Sequence, residues 1–359
     1  MSKTIDTYHI KTQESIDLLS GMIEIQSFSR EEELVSDYLT SFFKSKGLNP
    51  LRSGNNIWLK SSHWDEGKPT ILLNSHMDTV KPATTYSLDP FKAQVKDGKL
   101  FGLGSNDAGG PLVCLIQAFL HYQGQEDLPY NLIMAATAEE EISGANGIAS
   151  LIPQLGKIEL GIVGEPTLMQ MAVAEKGLAV LDCVASGVSG HAAREEGENA
   201  IYKALTEIEK LKSFEFEKES AFLGPIKKTV TLIEAGTQHN VVPDSCKFVV
   251  DVRTTDVYSN KETVEIINDL LDVEVTPRSL RLNPSGLAMD HPVVKRGESL
   301  GMEKYGSPTL SDQALMPFNT IKIGPGDSAR SHTADEYIGI EEIEGGISGY
   351  INLLDNLNL

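Results

Sequence analysis

Side chains able to bind divalent metal ions recur in five short strings, and most of these strings follow an apolar run. They are His76 and Asp78 in NSHMDTV, Asp107 in GLGSNDAGGP, Glu139, Glu140 and Glu141 in AATAEEE, Glu165 in GIVGEPT, and His332 in SARSHTADEY. Open α/β sheets gather ligands at the carboxyl ends of their strands. Four such strand ends, together with a late histidine, therefore predict a metal site.

His76 and Asp78 lie two residues apart, after the apolar run 71–73. Side chains at this spacing in extended backbone point the same way, so the carboxylate of Asp78 can reach the imidazole of His76. A metal-binding histidine usually donates its second N–H to such a carboxylate, which fixes the tautomer of the ring. A polar turn without a metal can hold the same two residues, so this pair alone indicates little.

Asp107 and the three glutamates at 139–141 each allow two interpretations. Asp107 precedes a predicted helix and could cap it, but the flanking glycines indicate backbone that turns sharply and approaches another group closely. Three adjacent acids repel one another unless cations share them. A solvated acidic turn therefore competes with a metal site at 139–141.

The elements that must position these residues alternate between strand and helix. Apolar runs at 71–73, 132–136 and 160–163 predict buried strands, and 112–122 is a predicted helix with Pro111 in its first turn. Such alternation favours an α/β layer with a mixed, partly parallel sheet and helices on both faces.

An earlier helix is predicted from its start signal. Ser29 and Glu32 have the spacing of a capping box, and apolar residues recur at helical spacing over 34–43 before Gly47. We therefore expect Ser29 to cap this helix.

A different pattern begins near residue 177 and predicts an inserted domain. Its order is β-α-β-β-α-β, a ferredoxin-like arrangement. The predicted segments are 179–185, 199–211, 229–234, 247–253, 263–271 and 273–282. We therefore predict a catalytic domain in two parts, 1–176 and 284–359, with an α+β domain inserted at 177–283.

The composition limits the partners. The chain has 359 residues, with 51 acidic and 31 basic residues and a formal net charge of −20. Such a surface repels phosphate backbones and anionic lipids, so we expect neither a nucleic-acid nor a membrane partner. The amino terminus lacks the pattern of a signal peptide, so a cytoplasmic location is expected. Cys114, Cys183 and Cys246 lie in apolar runs and are expected in the core.

Five strings resemble one known family. SHMDTV, GLGSNDAGG, TAEEE, GEPT and GHAAR occur in the order found in the dinuclear-zinc amidohydrolases, which include acetylornithine deacetylase, succinyl-diaminopimelate desuccinylase, aminoacylases and glutamate carboxypeptidases. The resemblance spans nearly the whole chain and is strongest to the acetylornithine deacetylase branch. It implies a zinc-peptidase type of fold whose inserted domain serves as a lid and forms a homodimer.

The resemblance also implies a set of metal ligands. His76 and Glu165 would bind one zinc ion, Glu140 and His332 would bind the second, and Asp107 would bridge the two. Nitrogen and carboxylate ligands without a thiolate suit zinc, and cobalt or manganese could substitute.

Other residues receive supporting roles from the same resemblance. Asp78 would orient His76, and Glu139 would be the general base. The peptide after Asp107 is often cis in the family. The chain departs from the family at Ala108, where members often have Lys or Met, so local geometry could differ there.

In the inserted domain, His191 in SGVSGHAAR would stabilise the oxyanion, often from the other subunit, although an exposed loop histidine is an equal alternative. Asn240 in HNVVPD and Arg253 in VVDVRTT match substrate-binding positions. Arg253 could grip a carboxylate with its guanidinium, or it could pair with Asp251 or Asp256 at the surface.

The function expected from the resemblance is hydrolysis of N2-acetyl-L-ornithine to L-ornithine and acetate, a step of arginine biosynthesis. N-succinylornithine, N-acetylcitrulline and carrier-linked lysine or ornithine are alternative substrates, and a dipeptidase of the same superfamily is a second kind of enzyme. A metal-binding protein that has lost turnover is the alternative outside enzymes.

Overall fold

The computed structural model describes residues 2–194 and 196–359, with side chains from residue 11 onward. The helices are α1 (Ser2–Ile23), α2 (Glu33–Ser45), α3 (Gly110–Tyr122), α4 (Ile148–Leu155), α5 (Ala200–Ser213), α6 (Asn260–Leu270), α7 (Pro292–Ser299) and α8 (Ile340–Leu354). The strands are β1 (Leu51–Ser53), β2 (Asn56–Lys60), β3 (Thr70–His76), β4 (Gln94–Lys96), β5 (Lys99–Phe101), β6 (Asn131–Thr137), β7 (Leu160–Val163), β8 (Met171–Glu175), β9 (Gly177–Ser186), β10 (Gly190–His191), β11 (Lys227–Ala235), β12 (Val241–Val242), β13 (Ser245–Thr254), β14 (Glu274–Pro277), β15 (Ser285–Gly286), β16 (Lys304–Ser307), β17 (Thr320–Lys322) and β18 (Tyr337–Gly339).

The chain divides into two compact units. The first contains the chain up to Val173 together with Leu287–Tyr305 and Ser311–Leu359, and the second contains Ala174–Gly286 and Gly306–Leu310. The short segment 306–310 thus groups with the second unit, whereas we predicted that all of 284–359 belongs to the catalytic domain.

The first unit is built around a mixed sheet. Strand β3 lies between β6 and β7 and is parallel to both, and β17 is parallel to β7, while β2 is antiparallel to β6. Every residue of β3 and β6 is buried, as expected of strands whose two faces are both covered. The prediction of a mixed, partly parallel sheet is confirmed.

Helices cover both faces of this sheet. On one face α4 packs Leu151 and Leu155 against Leu72 of β3 and Ile133 of β6. The other face receives α3, which also packs against α1 and α8. Successive residues of a strand point to opposite faces, so β3 contributes apolar side chains to both layers. The sequence of β3 therefore does not alternate between apolar and polar residues at 71–73.

The ends of these strands determine where the polar residues meet. His76, the last residue of β3, is in register with Thr137, the last residue of β6. Asn74 is in register with Val163, the last residue of β7. Because the strands are parallel, the segments that follow them leave the sheet at one edge.

The capping box predicted for α2 is wrong. Glu32 is itself the N-cap residue of the helix, and its side chain makes no capping hydrogen bond. The Ser29 hydroxyl instead donates to Asp78 at 2.7 Å, and the Glu32 carboxylate accepts the N–H of Arg30 at 2.7 Å. Both side chains therefore have hydrogen-bond partners outside the helix. The partner of Ser29 is distant in sequence, so local spacing does not reveal it.

The second unit contains a four-stranded antiparallel sheet in the order β11-β13-β9-β14. Helices α5 and α6 pack on it around a core that includes Leu181, Phe248, Val250 and Ile267. The elements follow the β-α-β-β-α-β order that we predicted. The last strand ends at Pro277, five residues short of the predicted limit.

Within the described residues, no helix combines the length and the apolar character needed to cross a bilayer. The three cysteines are all buried and unpaired, as expected for core residues.

Candidate metal centre

The first group of ligand atoms surrounds His76 at the end of β3. Its side chain is 1% exposed, and its Nε2 lies 3.2 Å from Oδ1 of Asp107 and 3.8 Å from Oε1 of Glu165. Atoms of these three residues lie within 4.8 Å of one another. One nitrogen and two carboxylate ligands at this spacing can coordinate a single divalent cation.

The second group of ligand atoms lies on the other side of the same aspartate. His332 Nε2 is 3.0 Å from Oε2 of Glu141 and 3.7 Å from Oδ2 of Asp107. These three residues also offer ligand atoms within 4.8 Å of one another. Asp107 therefore contributes one carboxylate oxygen to each group, which is the geometry of a bridging ligand between two cations.

The structure places Glu141, rather than Glu140, beside His332. Glu139 has a left-handed backbone with φ of 56°, and the chain then enters a short helical turn at Glu140–Ile142. This turn, rather than strand alternation, decides which carboxylates face the histidines. The side chains that it directs there are Glu140, whose Oε2 is 3.8 Å from Nε2 of His76, and Glu141.

Glu139 is directed away from the ligand groups. Its carboxylate accepts the side-chain N–H of Asn146 at 2.8 Å and the backbone N–H of the same residue at 3.2 Å. A Cβ at position 144 would lie 2.0 Å from this carboxylate, so Gly144 is required by the contact.

Asp78 supports both His76 and the turn that carries the glutamates. His76 Nδ1 is 2.9 Å from the backbone oxygen of Asp78 and 3.4 Å from its carboxylate. A proton on Nδ1 satisfies these oxygens, so Nε2 is the nitrogen that would bind a cation beside Asp107. The Asp78 carboxylate also accepts the N–H groups of Glu140 at 3.1 Å and Glu141 at 3.2 Å. Asp78 thus has the orienting contact with His76 that we predicted.

The cluster brings several buried carboxylates close together, and cations would stabilise their negative charges. Burial raises the pKa of Glu165 well above its usual value, and the nearby negative charge of Asp107 adds to the effect. Burial likewise raises the pKa of Glu140, and the negative charge of Glu165 raises it further. Oε1 of Glu165 is buried and has no hydrogen-bond partner among the described residues. Carboxylates packed this closely stay ionised only beside positive charge, so the donor set fits two divalent cations.

The loop that carries Asp107 depends on glycine at two positions. Gly104 has φ of 74°, and a Cβ on Gly109 would lie 2.5 Å from the backbone oxygen of Gly104. The glycines of GLGSNDAGGP thus allow the close approach that we inferred from the sequence. The peptide between Asp107 and Ala108 is cis, as the resemblance implied.

Two buried acids near the centre were missed by the sequence analysis. Glu336 accepts backbone N–H groups from the loop around Asp107. Asp312 accepts the side-chain N–H of Asn74 and the hydroxyl of Thr137, each at 2.8 Å, and so joins the ends of β3 and β6. Neither acid follows a strand in a glycine-rich string, so only tertiary structure identifies them.

The remaining predicted residues lie in the second unit. His191 is exposed, and its Nδ1 accepts the backbone N–H of Ala193 at 3.1 Å. Asn240 precedes β12, and its backbone oxygen accepts from Ala192 at 3.0 Å. Arg253 forms a two-pronged ion pair with Asp251 at 2.9 and 3.1 Å, which is one of the two alternatives that its spacing allowed.

Comparison with known proteins identifies relatives along nearly the full chain. The chain is 27% identical over 355 residues to a LysW-lysine/LysW-ornithine hydrolase of Sulfurisphaera tokodaii, covering 96% of this chain and 95% of the relative. It is 26% identical over 352 residues to an acetylornithine deacetylase of Myxococcus xanthus, covering 91% and 88%. A solved structure from Bacillus subtilis, described as a dinuclear metal-binding peptidase of the M20 family, superposes with a TM-score of 0.70 at 15% identity over 96% of this chain and 98% of that one.

The family model described as peptidase family M20/M25/M40 matches residues 72–356. This range includes every ligand position in the two groups around Asp107. The chain is therefore a metal-binding hydrolase of amide bonds, and it belongs to peptidase family M20/M25/M40.

Proposed function

We propose that the protein is a dinuclear zinc amidohydrolase that removes an acyl group from the nitrogen of a small amino acid. The observation that carries the proposal is the position of Asp107, whose two carboxylate oxygens lie beside His76 and beside His332. In this proposal His76 and Glu165 would hold one ion, Glu141 and His332 would hold the second, and Asp107 would contribute to both. Cobalt or manganese could occupy the same ligands.

Residues other than the ligands would transfer the proton and bind the oxyanion and the substrate. When bound, the two ions supply an activated water and a positive charge for the oxyanion. We assign the general base to Glu140, since its carboxylate lies beside the ligands while that of Glu139 is held by Asn146. Glu140 would take the proton of the attacking water and deliver it to the leaving amine.

His191 is the proposed donor to the oxyanion. Because its Nδ1 accepts a backbone N–H, a neutral His191 carries its proton on Nε2 and can donate from there. Such a donor is worth about 10²–10³ in rate in comparable sites. Asn240 and Arg253 are the proposed substrate contacts. Arg253 would exchange Asp251 for a substrate carboxylate, which is feasible because the pair is partly exposed, at 36% and 29% of the two side chains, and is screened by solvent.

N2-acetyl-L-ornithine is the first candidate substrate, which would place the enzyme in cytoplasmic arginine biosynthesis. The similarity to an acetylornithine deacetylase and to a LysW-ornithine hydrolase supports an N-acylated diamino acid. N-succinylornithine, N-acetylcitrulline and dipeptides are the competing substrates. The test is kcat/KM of the zinc-loaded protein on these compounds. Turnover confined to dipeptides would replace the deacylase with a dipeptidase, and no turnover on any of these compounds would contradict the proposed substrate class.

We also propose a homodimer formed through the second unit. Strand β11 is an edge strand, and it exposes Leu232 at 63% and Ile233 at 54%. Helix α5 exposes Tyr202 and Leu205. An unpaired edge with apolar side chains is suited to pairing with a second copy. Light scattering should give twice the chain mass for the wild type and the chain mass for Leu232→Glu with Tyr202→Glu; a wild-type monomer would contradict the dimer.

A further inference from the structure

Glu336 holds the backbone of the loop that carries Asp107. Its side chain is buried, with 3% of the residue exposed. Oε1 accepts the N–H groups of Asn106 at 2.8 Å and Asp107 at 2.9 Å, and Oε2 accepts the N–H of Gly104 at 2.9 Å. Three N–H groups that converge on one carboxylate fix the path of the loop at the point where Asp107 leaves it.

Glu336 is itself anchored by a strand pair. Its backbone oxygen accepts the N–H of Gly102 at 3.1 Å, and the following strand β18 pairs with β5. His332 lies four residues earlier in the same segment. One carboxylate therefore joins the segment that contains His332 to the loop that contains Asp107.

We propose that Glu336 is a positioning residue that sets the separation of Asp107 and His332, and with it the spacing of the two ion sites. This inference rests on the dinuclear function proposed above. Zinc–ligand bonds fall in a narrow range of about 2.0–2.2 Å for nitrogen and oxygen. Because Asp107 belongs to both ligand groups, a shift of its loop disturbs both sites at once.

The adjacent residue provides a matched control. The Asp335 carboxylate accepts the N–H groups of Ser87 at 2.8 Å and Leu88 at 2.9 Å. It therefore joins the same segment to a loop that carries none of the proposed ligands. Loss of either carboxylate removes backbone hydrogen bonds, but only loss of Glu336 releases Asp107.

The test compares Glu336→Gln with Asp335→Asn in the full chain. Glu336→Ala would leave three N–H groups without an acceptor, so the near-isosteric Gln variant is the informative one. The Gln side chain keeps one acceptor oxygen but replaces the other with an NH₂ group, which cannot accept a backbone N–H. We expect zinc affinity to fall about 10–100-fold, the range for loss of a group that orients ligands. The absorption spectrum of the cobalt-loaded protein should change, and kcat should fall more than KM rises.

Asp335→Asn should retain the wild-type zinc affinity and cobalt spectrum even if its Tm falls. Glu336→Asp, which keeps the charge on a shorter side chain, should lose less zinc affinity than Glu336→Gln and serves if the Gln variant does not fold. Wild-type affinity and spectrum in the folded Glu336 variants would overturn the positioning role, and so would equal losses in the Asp335 variant. Fewer than two ions in the wild-type protein would instead overturn the proposed function.

Discussion

His332 Nε2 lies 3.0 Å from a carboxylate oxygen of Glu141, the third of the three consecutive glutamates that follow β6. This contact shifts the roles of general base and metal ligand, which the resemblance gives to Glu139 and Glu140, by one residue. We therefore propose Glu141 as the ligand and Glu140 as the general base, while the Glu139 carboxylate is hydrogen-bonded to Asn146. The three side chains are chemically identical, so variants at these positions separate the two assignments.

Glu140→Gln should abolish most turnover while both ions remain bound. Removal of a general base typically costs about 10²–10⁴ in rate, and the Gln amide fills the same volume. The measurement is kcat together with zinc content. Glu139→Gln is the matched control, and its kcat should be near that of the wild type. Its Tm should be lower, because the substitution weakens the hydrogen bonds that the Glu139 carboxylate accepts, and hydrogen bonds to a charged group contribute about 1.5–3 kcal/mol each. If the Glu139 variant loses turnover and the Glu140 variant keeps it, Glu139 is the general base, as the resemblance implies.

Glu141→Gln should reduce the zinc content from two ions per chain toward one. The amide cannot supply the negative charge that Glu141 gives to the group with Asp107 and His332. The ion beside His76 and Glu165 should remain, since none of its other ligands changes. Metal analysis after dialysis against zinc-free buffer checks this, and two tightly held ions in the variant would remove Glu141 from the ligand set.

His191→Ala should lower kcat by about 10²–10³, as expected for loss of an oxyanion donor. The charge that it stabilises develops mainly in the transition state, so KM should change little. Steady-state kinetics on the best substrate provide both constants. A raised KM with unchanged kcat would make His191 a substrate-binding residue instead.

Metal-free His332 should titrate well above an ordinary histidine. The hydrogen bond to the Glu141 carboxylate raises the pKa of His332 to about 9. Since the folded pKa lies above the unfolded value, this charge stabilises the metal-free fold below about pH 6.5, and the contribution is lost as pH rises through about 9. A metal must displace this proton, so zinc affinity should rise with pH over the same range. NMR titration of the metal-free protein tests this: the pKa should fall toward about 6.5 in Glu141→Gln, and an ordinary value in the wild type would contradict it.

The sequence was sufficient for the elements whose signals are local. The apolar runs before His76 and Glu165 predict β3 and β7 because parallel strands buried on both faces have no polar alternation. The glycines around Asp107 likewise reveal a close backbone approach.

The residues whose surroundings the sequence does not show depend on tertiary structure. Glu139, Glu140 and Glu141 differ only in the turn that follows β6, and the left-handed backbone at Glu139 is not apparent from its residue type. Ser29 matches a cap by spacing, yet its hydroxyl donates to Asp78 across the fold. Long-range contacts such as these override local patterns.

The proposed function depends on Asp107 being shared by two cations. The most direct measurement is anomalous diffraction at the zinc edge from crystals grown with zinc. We expect two peaks about 3.5–4 Å apart, one beside His76 and Glu165 and the other beside Glu141 and His332, with Asp107 between them. A single peak, or two peaks of which only one contacts Asp107, would contradict it.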